Sequence, residues 1–180
     1  MHNYIRGIQI ALNNVKRATS RRGGWRMNVK RNGSPEKNIP MQIKLLGSRR
    51  QAWRMKALLN LISTTFCDYG TDQDAWWSWY RRNKDRERAD WACDALEDAG
   101  VEVLGLSLAE FIPACIEALR HVHKIVRAAA FYLLKHYTRR TAHFPVYATA
   151  GNREPHVREW RKWWSTRGIH RLGGNGGNGR

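Results

Sequence analysis

"IPMQIKLLGSRRQAWRMKALLNLISTT", residues 39–65, lies without a gap over "IPACIEALRHVHKIVRAAAFYLLKHYT", residues 112–138, at an offset of 73. Eight of the 27 aligned positions are identical: Ile39/Ile112, Pro40/Pro113, Ile43/Ile116, Leu46/Leu119, Arg54/Arg127, Ala57/Ala130, Leu61/Leu134 and Thr65/Thr138. Most of these are apolar and recur at helical spacing, the mark of a duplicated helical unit. Each copy reads as two helices joined by a turn of about four to six residues. Pro40 and Pro113 suit a first turn, where a missing N–H is no loss. In the second copy Ser107-Leu108-Ala109-Glu110 is a capping-box sequence that allows an earlier start. Ile43, Leu46, Ile116 and Leu119 mark the inner face of the first helices. Trp53, Ala57, Leu58 and Leu61, with Val126, Ala130, Phe131 and Leu134, mark that of the second. Small residues at Ala57, Ala129 and Ala130 let helices approach closely.

Further along each copy a tryptophan helix recurs. Ala75-Trp76-Trp77-Ser78-Trp79-Tyr80 matches Glu159-Trp160-Arg161-Lys162-Trp163-Trp164 at an offset of 84. The second copy therefore carries about eleven extra residues, placed in "TAHFPVYATAGNREP". Asp72 is an N-cap for the first of these helices; Pro155 is expected to open the second and Gly168 to end it. Aromatics recurring at one helical face point to a structural plug, since each buries much area. Trp77 is the exception, because its counterpart is Arg161.

"LLGSRRQAWRMKALLNL" and "ALRHVHKIVRAAAFYLL" resemble HEAT-type repeats, in which an apolar helix, a short turn and an apolar-Arg pair open an alanine-rich second helix. Here the pairs are Trp53-Arg54 and Val126-Arg127. The continuation through Phe66-Cys67-Asp68-Tyr69-Gly70 to Trp-x-x-Trp is similar to HEAT-repeat proteins whose units close with Phe, Gly, Asp and a tryptophan pair. The resemblance implies an all-α, short right-handed α-solenoid of helical hairpins, with about seven or eight helices. It departs at the turn, where Ser48 and His121 replace the aspartate that many such units pair with the second-helix arginine. Arg54 and Arg127 are thereby left either to meet an external anion or to lie solvated.

Three segments follow from this reading: a basic leader over 1–37, a repeat domain over 38–168 with units 38–83 and 107–167, and a Gly/Asn tail over 169–180. The units are linked by a helix over 85–99, with Ala89, Ala92, Cys93 and Leu96 along one stripe and Gly100 as its stop. "GVEVLGLSL" after it is an apolar connection that has room for one short strand. The leader fits an organellar transit peptide, a nucleic-acid arm or a poorly packed basic segment.

The 180-residue chain has a formal net charge of +17, unevenly spread. Residues 1–67 hold 14 Lys/Arg and one acidic residue; residues 68–117 hold 5 and 12; residues 118–180 hold 13 and 2. Both ends are basic and the middle is acidic. Cys67, Cys93 and Cys115 are odd in number and widely spaced, which suits reduced, buried thiols better than disulfides or a metal. No membrane span or secretory signal is read, and a cytoplasmic location is expected, with organellar import by the basic N-terminus as an alternative.

No catalytic constellation is found, and no cofactor or metal is expected. His121-Val122-His123 has a spacing that diverges on a helix, and Asp68, Asp72 and Asp74 lack the bidentate acid of a calcium loop. The leading expectation is a non-enzymatic scaffold binding a protein through surface aromatics and arginines, with candidates Trp77, Arg81, Arg82, Arg54, Arg127, Arg158, Arg161 and Lys162. The alternative is an RNA-binding or ribosome-associated protein, with candidates Arg21, Arg22, Trp25, Arg26, Arg49, Arg50, Arg139 and Arg140. A HEAT-like DNA glycosylase is a minor third reading. A continuous basic stripe on one face would favour nucleic acid; scatter would disfavour it.

Overall fold

The two aligned segments decide the architecture, which a computed structural model describes for residues 38–169. Seven α-helices follow one another: α1 Ile39–Leu46, α2 Gln51–Thr65, α3 Gln73–Asn83, α4 Arg88–Glu97, α5 Leu108–Ala118, α6 Lys124–Thr138 and α7 Ala150–Trp163. A π-helical turn, Trp164–Gly168, continues α7. Among the described residues there is no strand, so the fold is all-α and the connection at 101–107 is irregular. The leader over 1–37 and the tail from residue 170 lie outside the described residues.

The second helices of the two segments correspond bond for bond. α2 and α6 start and end 73 residues apart, and each stops on a left-handed non-glycine residue, Phe66 (φ 60°) and Arg139 (φ 54°). Thr65 Oγ1 donates to the Leu61 carbonyl at 2.9 Å, and Thr138 Oγ1 to that of Leu134 at 2.6 Å. Each hydroxyl then accepts the N–H two residues on, from Cys67 and from Arg140. The threonine thus bridges a last-turn carbonyl and an amide just beyond the helix.

Packing follows the same plan. α1 lies against α2 and α3, as α5 lies against α6 and α7, while α4 packs against both α2 and α6. Ile39, Ile43 and Leu46 of α1 and Ile112, Ile116 and Leu119 at α5 are buried against their partners. α6 is the central helix, flanked by α2, α4 and α5, and it buries Ala129 and Leu133 completely. The equivalent positions of α2 are Lys56 and Asn60, both exposed, so that outer face is polar where α6 is covered.

Arg88 ties the two halves together. It donates from Nε to the Thr64 carbonyl at 2.9 Å and from Nη2 to that of Ser63 at 2.8 Å, while its guanidinium lies over the rings of Phe66 (5.0 Å) and Tyr132 (4.4 Å). A cation at the C-terminal carbonyls of α2 also meets the negative end of that helix dipole. α4 ends at Gly100 (φ +78°), where Val101 N–H reaches the Leu96 carbonyl and Gly100 N–H that of Glu97. This double closure needs a left-handed residue, which explains the glycine.

Several expectations change. Trp53 is 37% exposed because no described helix covers that side of α2, whereas its counterpart Val126 is buried in the centre. Trp91 of α4, absent from the expected stripe, is buried and donates to the Asn83 carbonyl at 3.2 Å. The linking helix is shorter than 85–99: it starts at Arg88, where the Glu87 N–H is held by Asp90 Oδ2. Pro155 does not open α7 but sits inside it: the helix starts at Ala150, and Arg153 in its second turn donates back to the Ala148 carbonyl. Gly168 is not a left-handed stop: a Cβ there would lie 2.4 Å from Cε3 of Trp164, so the glycine makes room for a ring.

Candidate functional site

Arg54 and Arg127 were the arginines freed by the missing turn aspartate. Each instead turns back onto its own turn. Arg54 Nη1 donates to the carbonyls of Ser48 (2.7 Å) and Arg49 (3.2 Å); Arg127 Nη1 donates to those of His121 (2.6 Å) and Val122 (2.7 Å), again 73 residues apart. Arg127 Nε adds the Val146 carbonyl at 2.9 Å, and the residue is only 7% exposed. Backbone carbonyls take the place of the carboxylate, and burial, with Arg153 nearby, lowers the Arg127 pKa from its usual value. Arg127 is withdrawn from solvent, whereas Arg54, bonded through Nη1 alone, is half-exposed.

Other basic candidates are also engaged within the fold. Arg161 bonds Glu117 in two contacts, at 2.7 and 2.5 Å. Arg120 bonds both Glu117 and Glu154, so a four-residue ion network clamps α5 to α7. Arg140 pairs with Glu159 at 2.5 Å and stacks over Trp160 and Trp163. Arg49, Arg50, Arg81, Arg82, Arg139, Arg158 and Lys162 are exposed, on the α1–α2 turn, the end of α3, the end of α6 and the outer side of α7. They do not share one element. Arg21, Arg22, Trp25 and Arg26 lie outside the described residues.

The tryptophans act mainly inside. Trp76, Trp79, Trp160 and Trp164 are buried, and Trp76 Nε1 donates to the Gly70 carbonyl at 2.9 Å. Trp77 is half-buried, edge-on to Tyr80 at 5.9 Å and packed against the core, so it offers less surface than its pairing with Arg161 implied.

The surface that stands out lies on α4 and the connection behind it. Val103 is buried and anchors the connection, with Glu97 Oε1 accepting the N–H of Val103 (2.6 Å) and of Leu104 (2.7 Å). Those two bonds hold the Glu97 carboxyl below its usual range. The chain beyond this clasp turns Leu104 (66% exposed), Leu106 and Leu108 outward. With Cys93, Phe111 and Tyr137 they line a cleft of about 280 Å³, and Tyr137 stands edge-on to Phe111 at 5.1 Å. A second cleft of about 340 Å³, walled by Cys67, Tyr69, Trp79, Arg82 and Asp98, adjoins it. The two meet at Arg86 and Asp94, which form a two-pronged pair at 2.6 and 3.0 Å.

The clefts are lined by four carboxylates, Asp90, Asp94, Glu97 and Asp98, and two guanidiniums, Arg82 and Arg86. Residues 85–117 hold nine acidic side chains and two basic ones. Burial first, then Asp90, Asp94 and Glu97, push the Cys93 thiol up to about 11, and burial with neighbouring negative groups also raises Tyr137. The sequence signal for this site was "GVEVLGLSL", an apolar run in a connection too short to bury all of its side chains.

Among the described residues no group of three or more His, Cys, Asp or Glu is placed to hold a metal ion, and no helix is long and apolar enough to cross a membrane. Comparison with protein-family models, curated proteins and solved structures gives no match.

Proposed function

We propose that the chain is a non-enzymatic interaction scaffold of the HEAT-repeat kind, whose partner is a protein. The observation that carries this reading is the fate of the arginines. Arg54, Arg120, Arg127, Arg140, Arg153 and Arg161 bond carbonyls or carboxylates of the chain itself, so these six arginines serve the architecture of the described domain. The exposed cations that remain are scattered over several elements, which is a poor phosphate track. What the surface concentrates instead is apolar area within an acidic field, and contiguous exposed apolar patches mark protein-binding sites. The correspondence of turns, caps and threonine bonds at an offset of 73 supports the repeat assignment.

The test is capture by the tagged full chain from nuclease-treated lysate, paired with titration against a mixed RNA and DNA pool at rising salt. A protein partner retained after nuclease treatment, with weak pool binding, is the expected result. Loss of all captured protein on nuclease treatment, together with pool affinity that falls steeply with log salt, would overturn the reading in favour of a nucleic-acid binder.

A further inference from the structure

We propose that the paired clefts flanking α4 receive a basic amphipathic helix of a partner protein, an inference that rests on the scaffold reading above. Three observations carry it. Leu104, Leu106 and Leu108 stand beside Phe111 and Tyr137 in one cleft, and Leu104, Leu106, Leu108 and Tyr137 are each more than a third exposed. Apolar side chains gathered this closely on an open surface form a docking strip, not scattered surface leucines. The charged groups lining the two clefts are four carboxylates, Asp90, Asp94, Glu97 and Asp98, against two guanidiniums, Arg82 and Arg86, so the groove is acidic within a chain of net charge +17. Asp98, on the wall of the second cleft, and Glu102, next in the chain to the cleft-lining Val103, are exposed, and neither carboxylate has a hydrogen-bond or ion-pair partner among the described residues. Finally, the clefts adjoin across the Arg86–Asp94 pair, making a shallow two-lobed groove open to solvent. An open groove of this kind gives a small molecule little enclosure, but it suits anchors spaced along a helix face.

The charge selects the occupant. Lysine and arginine stems cover leucines while their heads reach carboxylates at the rim, so a basic helix satisfies both parts of the surface at once. An acidic helix or a nucleic-acid backbone would meet like charge along the same rim. A neutral apolar helix would gain from the leucines but desolvate Asp98 and Glu102 without a partner.

The test uses the full chain and a defined probe: a 14-residue helical peptide of leucine and lysine with one apolar face, measured by fluorescence anisotropy. A leucine/glutamate peptide of the same pattern and a leucine/lysine peptide with the stripe scrambled are the controls. The expected result is binding at least tenfold tighter than either control, weakened tenfold or more by Leu104→Ser with Leu106→Ser, and separately by Asp98→Lys with Glu102→Lys. All four positions are exposed or half-exposed at the surface, and a thermal melt checks that both variants stay folded. Equal binding of the scrambled peptide, or indifference to both pairs of substitutions, would overturn the proposal. So would a photo-crosslinker at Leu106 that joins a second copy or residues 1–37 of the same chain in the absence of peptide. If lysate capture of a protein persists in both variants, the scaffold reading stands and this groove falls; if no protein is captured by the parent chain, both fall.

Discussion

Arg127 and Arg54 show how one residue type at equivalent positions reaches the same geometry with different weight. Both satisfy carbonyls of the preceding turn, but Arg127 is buried and Arg54 half-exposed. Arg127→Ala removes a nearly buried guanidinium and its bonds to three part-buried carbonyls, so it is expected to cost about 2 kcal/mol, against about 1 kcal/mol for Arg54→Ala, measured by urea denaturation. Arg127→Lys is expected to recover little, because an ammonium cannot reproduce the guanidinium fork. The tryptophans form a second pair. Trp76 Nε1 has the Gly70 carbonyl, while Trp160 Nε1 is buried and finds no acceptor among the described residues. Trp76→Phe is therefore expected to cost ~1.5 kcal/mol more than Trp160→Phe in the same unfolding measurement. The sequence alignment made these two residues equivalent; the extra residues before α7 removed the counterpart of Gly70 as an acceptor, and spacing alone could not reveal that.

Between elements, polar ties do much of the joining. Arg88 holds the α2 C-terminus against α6, and Arg88→Ala is expected to cost about 2 kcal/mol through two lost charge-assisted bonds and the ring contacts, with faster amide exchange at the end of α2 as a local signature. α5 and α7 are joined by ions. Arg120, hydrogen-bonded to Glu154, holds that carboxyl below its usual range. A carboxyl with a lowered folded pKa contributes stability that is complete above its unfolded value, about 4.3, and is lost as pH falls through the folded one. Thermal melts of the parent chain should therefore decline on acidification below about pH 4.3, and Glu154→Gln should lessen that decline. The capping box at Ser107, the Asp72 cap and the Gly100 stop were legible because they are local, each set within a few residues. The start of α7 was not: the helix begins at Ala150, ahead of Pro155, and Arg153 donates back to a loop carbonyl.

Over the whole molecule, Asp90, Asp94, Glu97 and Asp98 gather at the clefts beside α4, Glu117 and Glu154 pair with Arg120 and Arg161, and Arg49, Arg50, Arg81, Arg82, Arg139 and Arg158 stay exposed. Burial raises all three thiols, Cys67 and Cys93 to about 11, so alkylation of the folded chain at neutral pH is expected to be slow and to accelerate as pH approaches that value, with Cys115 slowest. A thiol titration before and after denaturation checks it. The sequence by itself determined the helical class, the paired segments and most of the core, because apolar spacing and caps act within a few residues of chain. Only the tertiary structure decided that Arg127 and Arg153 are buried, that Trp53 stays exposed while Val126 does not, and that the leucines after α4 face outward beside Tyr137. Those outcomes depend on which helix lies opposite and on which distant carbonyl or carboxylate lies within reach, and neither is a property of local spacing.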